Sequence, residues 1–380
     1  MKVLHINCNY MGSLLHQNMM ETLIEKGVNN RVFVPLKTLN NHPVKPKEYV
    51  TPVVCFKTIN RFFYPIKQKK IIRALYENID DISQYSCIHA YTVFTDGNVA
   101  RTLSKKYNIP YVVAVRSTDL NMFFKNIFFL RNIGINVLRD AKAIFFLSET
   151  YRETLLNRYI PMQYREEIIR KSYIVPNGID DFWHENLFLN KDIDEVVNRI
   201  EKKEIKIVYA GGIDRNKNVV LTCKAKKILE KKGWKVDFYV VGKIRERLTY
   251  NRIKKEIIYF DARPKEKLID IYRKADIFVL PSHHETFGLV YAEAMSQGLP
   301  VLYTRKQGFD GQFEDGKVGY AISDWNADSL ADSIIKVTEN YVSLAQNSMK
   351  CVNKFKWSEI CDIYYSIYKE NEGVNNARNS

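Results

Sequence analysis

The sequence is short of the features that would place it outside an ordinary globular protein. Glycine and proline are few, 16 and 11 in 380 residues, which excludes collagen-like and low-complexity chains. The six cysteines, at positions 8, 55, 87, 223, 351 and 361, include no Cys-x-x-Cys pair. Neither a zinc knuckle nor a disulfide framework is indicated, and reduced thiols in a cytoplasmic protein are expected. No window approaches the ~20 apolar residues of a membrane-spanning helix. The longest apolar stretch, 121–147, is interrupted by Lys125, Arg131, Arg139, Asp140 and Lys142. The apolar run at the N-terminus turns polar within six positions, too soon for a secretory leader. Acidic residues are missing altogether from Tyr49 to Tyr76.

What is present is a chain with 46% hydrophobic and 27% charged residues, enough apolar surface to exclude disorder and enough length for two domains. The net charge of +15 lies mostly in residues 1–180, which carry +11 of it. Within the segment free of acidic residues, positions 57–73 hold Lys57, Arg61, Lys67, Lys69, Lys70 and Arg73, interleaved with Phe62, Phe63 and Tyr64. Such a face suits an anionic lipid, an anionic acceptor or a nucleic acid. A solvated helix with a few core aromatics accounts for it equally well.

Short β-rich runs alternate with helical patterns along the whole chain. In the first half the runs are Val3–Ile6, Arg31–Val34, Cys87–Ala90, Tyr111–Val115, Ala143–Leu147 and Tyr173–Val175, with a helix over Ser13–Lys26 closed by Gly27. In the second half they are Ile205–Tyr209, Val236–Val241, Ile257–Phe260 and Asp276–Leu280, with helices over 218–231 and 264–273. Alternation of this kind argues for parallel sheets covered by helices on both faces. The boundary between two such α/β domains is expected near Pro176-Asn177-Gly178, giving domains over 1–180 and 181–355, a helix over 356–380 and a frayed tail from Asn371. Ligands of open parallel sheets bind beyond the carboxyl ends of the strands, so the chemistry is expected just after each strand, in a cleft between the domains.

The strongest local signal is the run from Pro281 to Met295, directly after a buried strand. Gly288 permits close backbone approach, and a helix opens near Leu289 and ends at Gln297, with Gly298 as its cap. The start of that helix offers N–H groups and a partial positive charge to a phosphate. Glu285 in the loop and Glu293 on the helix would repel a phosphate unless they bond sugar hydroxyls, so the pair suits a ligand with both phosphate and polyol parts. A capping glutamate and a solvent-facing one are the structural alternative.

These residues resemble a retaining GT-B glycosyltransferase of family 4, the glycosyl transferases group 1. Glu285 and Glu293 match its Glu-x7-Glu motif, Val175 to Asp180 matches its PNGID segment, and Tyr209 to Asn218 resembles the Gly-rich turn and lysine that open its donor domain. Gln307 to Gly311 resembles the segment after the family's next strand. The resemblance implies two Rossmann-like doubly wound domains facing each other across a cleft. It implies transfer of a hexosyl unit, with retention and without a metal or other cofactor, from a UDP- or GDP-linked sugar to an acceptor hydroxyl. The acceptor is expected to be a glycan or a lipid-linked species of cell-surface polysaccharide synthesis, handled in the cytoplasm at the inner face of the membrane, with residues 57–73 on an anionic surface.

By the same resemblance Glu285 is the catalytic residue, and Gly212, Arg215, Lys217, Phe287, Gly288, Leu289 and Glu293 bind the donor. Gly212 stands where the family usually has arginine, and Arg215 is expected to supply that charge. On the acceptor side only Gly12 remains of a Gly-rich turn, and Arg116 to Asp119 replaces a His-Gly pair. Gly12, His89, Arg116 and Asp119 are expected near acceptor or transferred sugar, an Arg116–Asp119 ion pair bracing the loop being the alternative. A nucleotide-sugar epimerase of the same fold and a non-enzymatic basic-face binder are the rival functions. No motif that reads a nucleic acid is present, and nucleic acid is not an expected partner.

Overall fold

A computed structural model of the protein describes all residues except 40, 41, 62, 189–191 and 380, and the side chains of all of these except 60, 61 and 371–379. The chain divides into two units, Met1–Gly178 with Trp357–Ser380, and Ile179–Lys356. The first division falls two residues before the junction that the sequence suggested.

The first unit is built on a seven-stranded sheet: β1 (Lys2–Ile6), β2 (Asn29–Leu36), β3 (Val50–Val54), β4 (Cys87–Ala90), β5 (Tyr111–Val115), β6 (Ala143–Phe146) and β7 (Ser172–Ile174), in the order β3-β2-β1-β4-β5-β6-β7. Every pairing is parallel; His5 of β1 lies opposite Val32 of β2 and His89 of β4. β1, β4, β5 and β6 are apolar almost throughout, as strands covered on both faces must be. β3 carries a proline, Pro52, and lies at the sheet edge, where a missing N–H is tolerated; this weak pattern was not legible as a strand.

The second unit repeats the scheme with six parallel strands: β8 (Glu204–Ala210), β9 (Lys235–Val241), β10 (Ile258–Phe260), β11 (Ile277–Val279), β12 (Val301–Thr304) and β13 (Gly319–Ile322), ordered β10-β9-β8-β11-β12-β13. In each sheet the order reverses beside the first strand, between β1 and β4 and between β8 and β11. Neighbouring crossovers there leave to opposite faces, which opens a crevice at the carboxyl ends of those two strands.

The helix Trp357–Asn379 is part of the first unit, and its backbone stays helical to Asn379, where a frayed tail was expected. Its Ile360, Cys361, Tyr364 and Tyr368 share a core with Met19, Met20 and Leu23 of the helix Leu15–Glu25. Gly178 explains part of the Pro-Asn-Gly signal: a Cβ there would stand 2.4 Å from the Trp357 ring, so only glycine lets the chain pass beneath the indole. Asp180 then caps the helix Asp181–Glu185 by accepting the Phe182 N–H at 3.0 Å.

Candidate functional site

In the second unit, chemistry gathers at the reversal between β8 and β11. After β8 the chain turns through Gly211 and Gly212 into a loop that Asp214 organises, its Oδ1 accepting the backbone N–H of Lys217 at 2.9 Å. The helix Val219–Lys231 follows. Asn216 ties this loop to the one after β11: its Nδ2 donates to the His284 carbonyl at 2.9 Å, and its Oδ1 and carbonyl accept the N–H groups of His284 and His283 at 3.0 and 2.8 Å. Three hydrogen bonds thus hold two chain-distant loops in register.

That register brings Lys217 onto Glu285. Lys217 Nζ donates to Glu285 Oε2 at 2.5 Å, and both side chains are largely shielded from water. Oε1 accepts the Thr286 N–H at 3.1 Å, and Ser282 Oγ stands 3.4 Å from Oε2. The backbone of Glu285 is held in turn by the next loop: its N–H donates to Gln307 Oε1 at 3.0 Å, and its carbonyl accepts the Gly308 N–H at 3.2 Å. A Cβ on residue 308 would lie 1.9 Å from the Thr286 carbonyl oxygen, so glycine there is a condition for this packing. Gly288 has φ +80, a left-handed conformation that glycine adopts without strain, and starts the short helix Leu289–Met295. Leu289, at its first position, is half-buried.

Glu293 lies on that helix, half-buried, and its carboxylate makes no hydrogen bond or ion pair among the described residues. Loss of hydration, with the nearby Asp180 charge as a smaller cause, pushes its carboxyl up to about 7. Glu285 is therefore an ion-paired carboxylate, whereas Glu293 is one whose hydrogen-bonding capacity the protein leaves unused. Such a pair can neutralise positive charge at one point and accept hydroxyl groups at another.

Residues 190–353 match the family model of Glycosyl transferases group 1. Beyond this glycosyl transferases group 1 domain, the chain is 27% identical over 307 residues to a probable sucrose-phosphate synthase of Thermosipho melanesiensis, covering 74% of this chain and 70% of that protein. Among solved structures it is similar to sucrose-phosphate synthase from Thermosynechococcus elongatus, with a TM-score of 0.74 at 16% identity over 98% of this chain and 99% of that one. It is also similar to HepE of Anabaena in complex with UDP and glucose, with a TM-score of 0.65 at 16% identity over 97% of this chain and all of the other. The two parallel α/β domains are those of the GT-B fold.

Arg215 and Phe287, expected at the donor, have the following surroundings. The Arg215 side chain is exposed and lies 3.7 Å from Glu246. The side chain over Gly212 belongs to Arg245, from the turn after β9: a Cβ on residue 212 would stand 2.5 Å from Arg245 Nε. Arg245 also meets Asp214 at 3.4 Å, on the carboxylate that fixes the Lys217 backbone. Sequence reasoning missed Arg245 because it reaches Gly212 across the sheet, 33 positions along the chain; the glycine itself was the only local sign. Phe287 is buried with its ring against Phe355 and Phe309.

Of the expected acceptor-side residues of the first unit, Arg116 and Asp119 adjoin, and the Arg116 charge acts on His89. His89 is wholly buried in the sheet, stacked on Tyr91 at 4.2 Å with Nδ1 2.5 Å from Tyr368 Oη, and burial holds its imidazole well below the usual range. It is a core histidine, as are His5 and His16, which burial lowers to about 4 and about 3. Asp119 is also buried; its Oδ1 accepts the N–H groups of Val93 and Phe94 at 3.1 and 3.4 Å, and its Oδ2 accepts that of Arg116 at 2.9 Å. The Arg116–Asp119 ion pair is not formed: Arg116 Nη1 instead donates to Asn177 Oδ1 at 3.3 Å. Gly12 is exposed, and a Cβ there would meet no protein atom within 4 Å. Of residues 57–73, Lys57, Phe63, Lys69, Lys70 and Arg73 are exposed, whereas Tyr64 is buried with its hydroxyl donating to the Phe94 carbonyl at 2.7 Å. Phe62 and the side chain of Arg61 lie outside the described residues. Among the described residues no helix is long and apolar enough to cross a membrane.

Proposed function

We propose that the protein transfers a hexosyl unit, with retention of configuration, from a UDP- or GDP-linked sugar to a hydroxyl of a glycan or lipid-linked acceptor in cell-surface polysaccharide synthesis. The observation that carries this reading is the Lys217–Glu285 pair at the carboxyl ends of β8 and β11, with the unpartnered Glu293 on the next helix. Lys217 and Arg245 neutralise the diphosphate as the glycosidic bond breaks, work that a divalent cation does in other transferases. Arg215 is left as a peripheral charge. The backbone at Gly212, Gly288 and Leu289 lies against the phosphates, and Glu293 accepts the ribose hydroxyls. Glu285 steadies the donor sugar and balances positive charge at its ring. The capture of UDP and glucose by the Anabaena relative supports a uridine donor.

Binding of the acceptor to the first unit, close to an anionic membrane surface, completes the proposal. Exposed Lys57, Lys69 and Lys70 beside exposed Phe63 supply charge and shallow apolar insertion. Calorimetric titration with UDP and GDP tests the donor reading: one of them should bind, and Lys217→Ala should weaken it by roughly ten- to hundred-fold, the worth of a charge-assisted hydrogen bond. No binding of either nucleotide would overturn it. NMR of the product's anomeric carbon tests retention, and donor consumption without acceptor would identify an epimerase instead. Cosedimentation with anionic and neutral vesicles tests the membrane claim, which equal and negligible binding to both would sink.

A further inference from the structure

Arg116 follows β5 directly and is half-buried. Among the described residues its guanidinium forms no ion pair. Nη1 donates to Asn177 Oδ1 at 3.3 Å, and the other N–H groups of the fork have no partner among the described residues. Asp119 feels the Arg116 charge through space, but its oxygens accept the backbone N–H groups of Arg116, Val93 and Phe94. Asn177, beyond β7, is buried, and its Nδ2 also has no partner among the described residues. Guanidinium and amide therefore adjoin, Asn177 fixing the orientation of the fork while both keep N–H groups to offer.

The charge in this part of the unit comes from Arg116. Its field reaches His16 on the helix Leu15–Glu25, His89 on β4 and Tyr364 on the helix Trp357–Asn379, and among the described residues no lysine or other arginine acts on these three. Burial, with Arg116 among the smaller causes, holds both imidazoles well below the usual range, so they stay neutral and add no charge. The same neighbours place the guanidinium at the carboxyl end of β5, beside the reversal between β1 and β4, where open parallel sheets receive ligands. Taking a guanidinium part-way out of water without a counter-ion is unfavourable, and an anionic ligand recovers that cost. One positive charge balances a carboxylate, whose two coplanar oxygens meet an edge of the fork; a phosphate dianion would keep half of its charge unmatched.

From this unpaired fork we propose that the first unit recognises a carboxylate-bearing sugar, a uronic acid unit of the acceptor glycan, through Arg116 with Asn177 beside it. The inference rests on the glycosyl-transfer reading and narrows its substrate class to an acidic glycan. A uronic acid carries its carboxylate on the pyranose ring itself, so the contact that balances the Arg116 charge also orients the ring.

The test is a ligand-observed NMR titration of the full chain with methyl glucuronide and methyl galacturonide, beside methyl glucoside, methyl galactoside, glucose 6-phosphate and acetate. One of the two uronides should bind at least about ten-fold more tightly than its uncharged counterpart, the low end for a charge-assisted hydrogen bond. Arg116→Gln, at matched thermal midpoint, should remove that preference. Arg116→Lys should keep part of it, because an ammonium retains the charge but not the fork. Asn177→Ser, which releases the fork and takes away the second donor, should lower it several-fold and serves where Arg116→Gln does not fold. Binding of neither uronide would overturn the inference, as would a preference that these substitutions leave unchanged. Glucose 6-phosphate binding more tightly than the uronides would make this a phosphate site, and acetate binding as tightly as they do a bare anion site; either result overturns the inference. UDP and GDP titrated into the same sample keep the two readings apart. Failure to bind either nucleotide would overturn the glycosyl-transfer reading, whereas nucleotide binding without a uronide preference would overturn the carboxylate inference alone.

Discussion

Glu285→Gln separates a residue that acts on the reacting sugar from one that merely holds the loop. The substitution keeps the size of the side chain and an oxygen able to accept the Thr286 N–H, now 3.1 Å from Oε1, so the loop should keep its shape. What it removes is the negative charge 2.5 Å from Lys217 Nζ. A hydrogen bond between charged groups is worth about 1.5–3 kcal/mol, and a diphosphate must compete with it for Lys217. If the lysine leaves Glu285 for the phosphate, the variant binds UDP or GDP about ten- to hundred-fold more tightly; if it bridges both, affinity is unchanged. In neither case is binding weakened. Turnover should fall by about 10²–10³, the usual loss when one group facing charge developed in the transition state is removed. Calorimetry with the nucleotide and initial rates with the nucleotide sugar, on samples of matched thermal midpoint, give the two numbers. Wild-type turnover would refute the role assigned to Glu285. So would parallel losses in turnover and nucleotide affinity, which would make it a binding residue only.

The remaining predictions concern Glu293, Gly308 and the buried ionisable groups of the first unit. Because the Glu293 carboxyl titrates at about 7, the affinity advantage of wild type over Glu293→Gln for the nucleotide should grow from pH 6 to pH 8, by up to roughly ten-fold, in paired titrations; a constant ratio would remove its carboxylate from the site. Gly308→Ala places a Cβ 1.9 Å from the Thr286 carbonyl, so it should cost about 2–3 kcal/mol in urea unfolding or, by shifting the Glu285 loop, lower turnover at unchanged stability; no effect on either would contradict the packing described. Asp96 is raised to about 7 by burial, so between its unfolded value and pH 7 the unfolded chain binds fewer protons and this residue's contribution declines as pH rises. Asp96→Asn should therefore gain stability relative to wild type from pH 5 to pH 7, by about 1.4 kcal/mol per pH unit at most, with urea midpoints as the readout. His5 and His16, held at about 4 and about 3, act in the opposite sense: their neutral forms contribute fully above pH 6.5, and stability is lost as pH falls toward their folded values.

The sequence by itself determined the two parallel α/β sheets, because strands buried on both faces must be apolar throughout and those runs stand out wherever they are long enough. It also marked Glu285 and Glu293, in the loop after a buried strand and on the helix beyond it, and Gly288 at the turn between them, while the family resemblance marked Lys217 and the segment around Gly308. It did not show β3, a proline-bearing edge strand, nor the short strands β12 and β13. Nor could it say which loops meet. The Asn216 clamp that sets Lys217 on Glu285, the reach of Arg245 over Gly212 and the burial of His89 all join residues far apart in the chain. Local propensity and periodicity extend over about a dozen residues, whereas strand order fixes which loop ends are neighbours. Whether a histidine, an aspartate or an arginine faces a ligand or the core was therefore decided only when the sheets assembled.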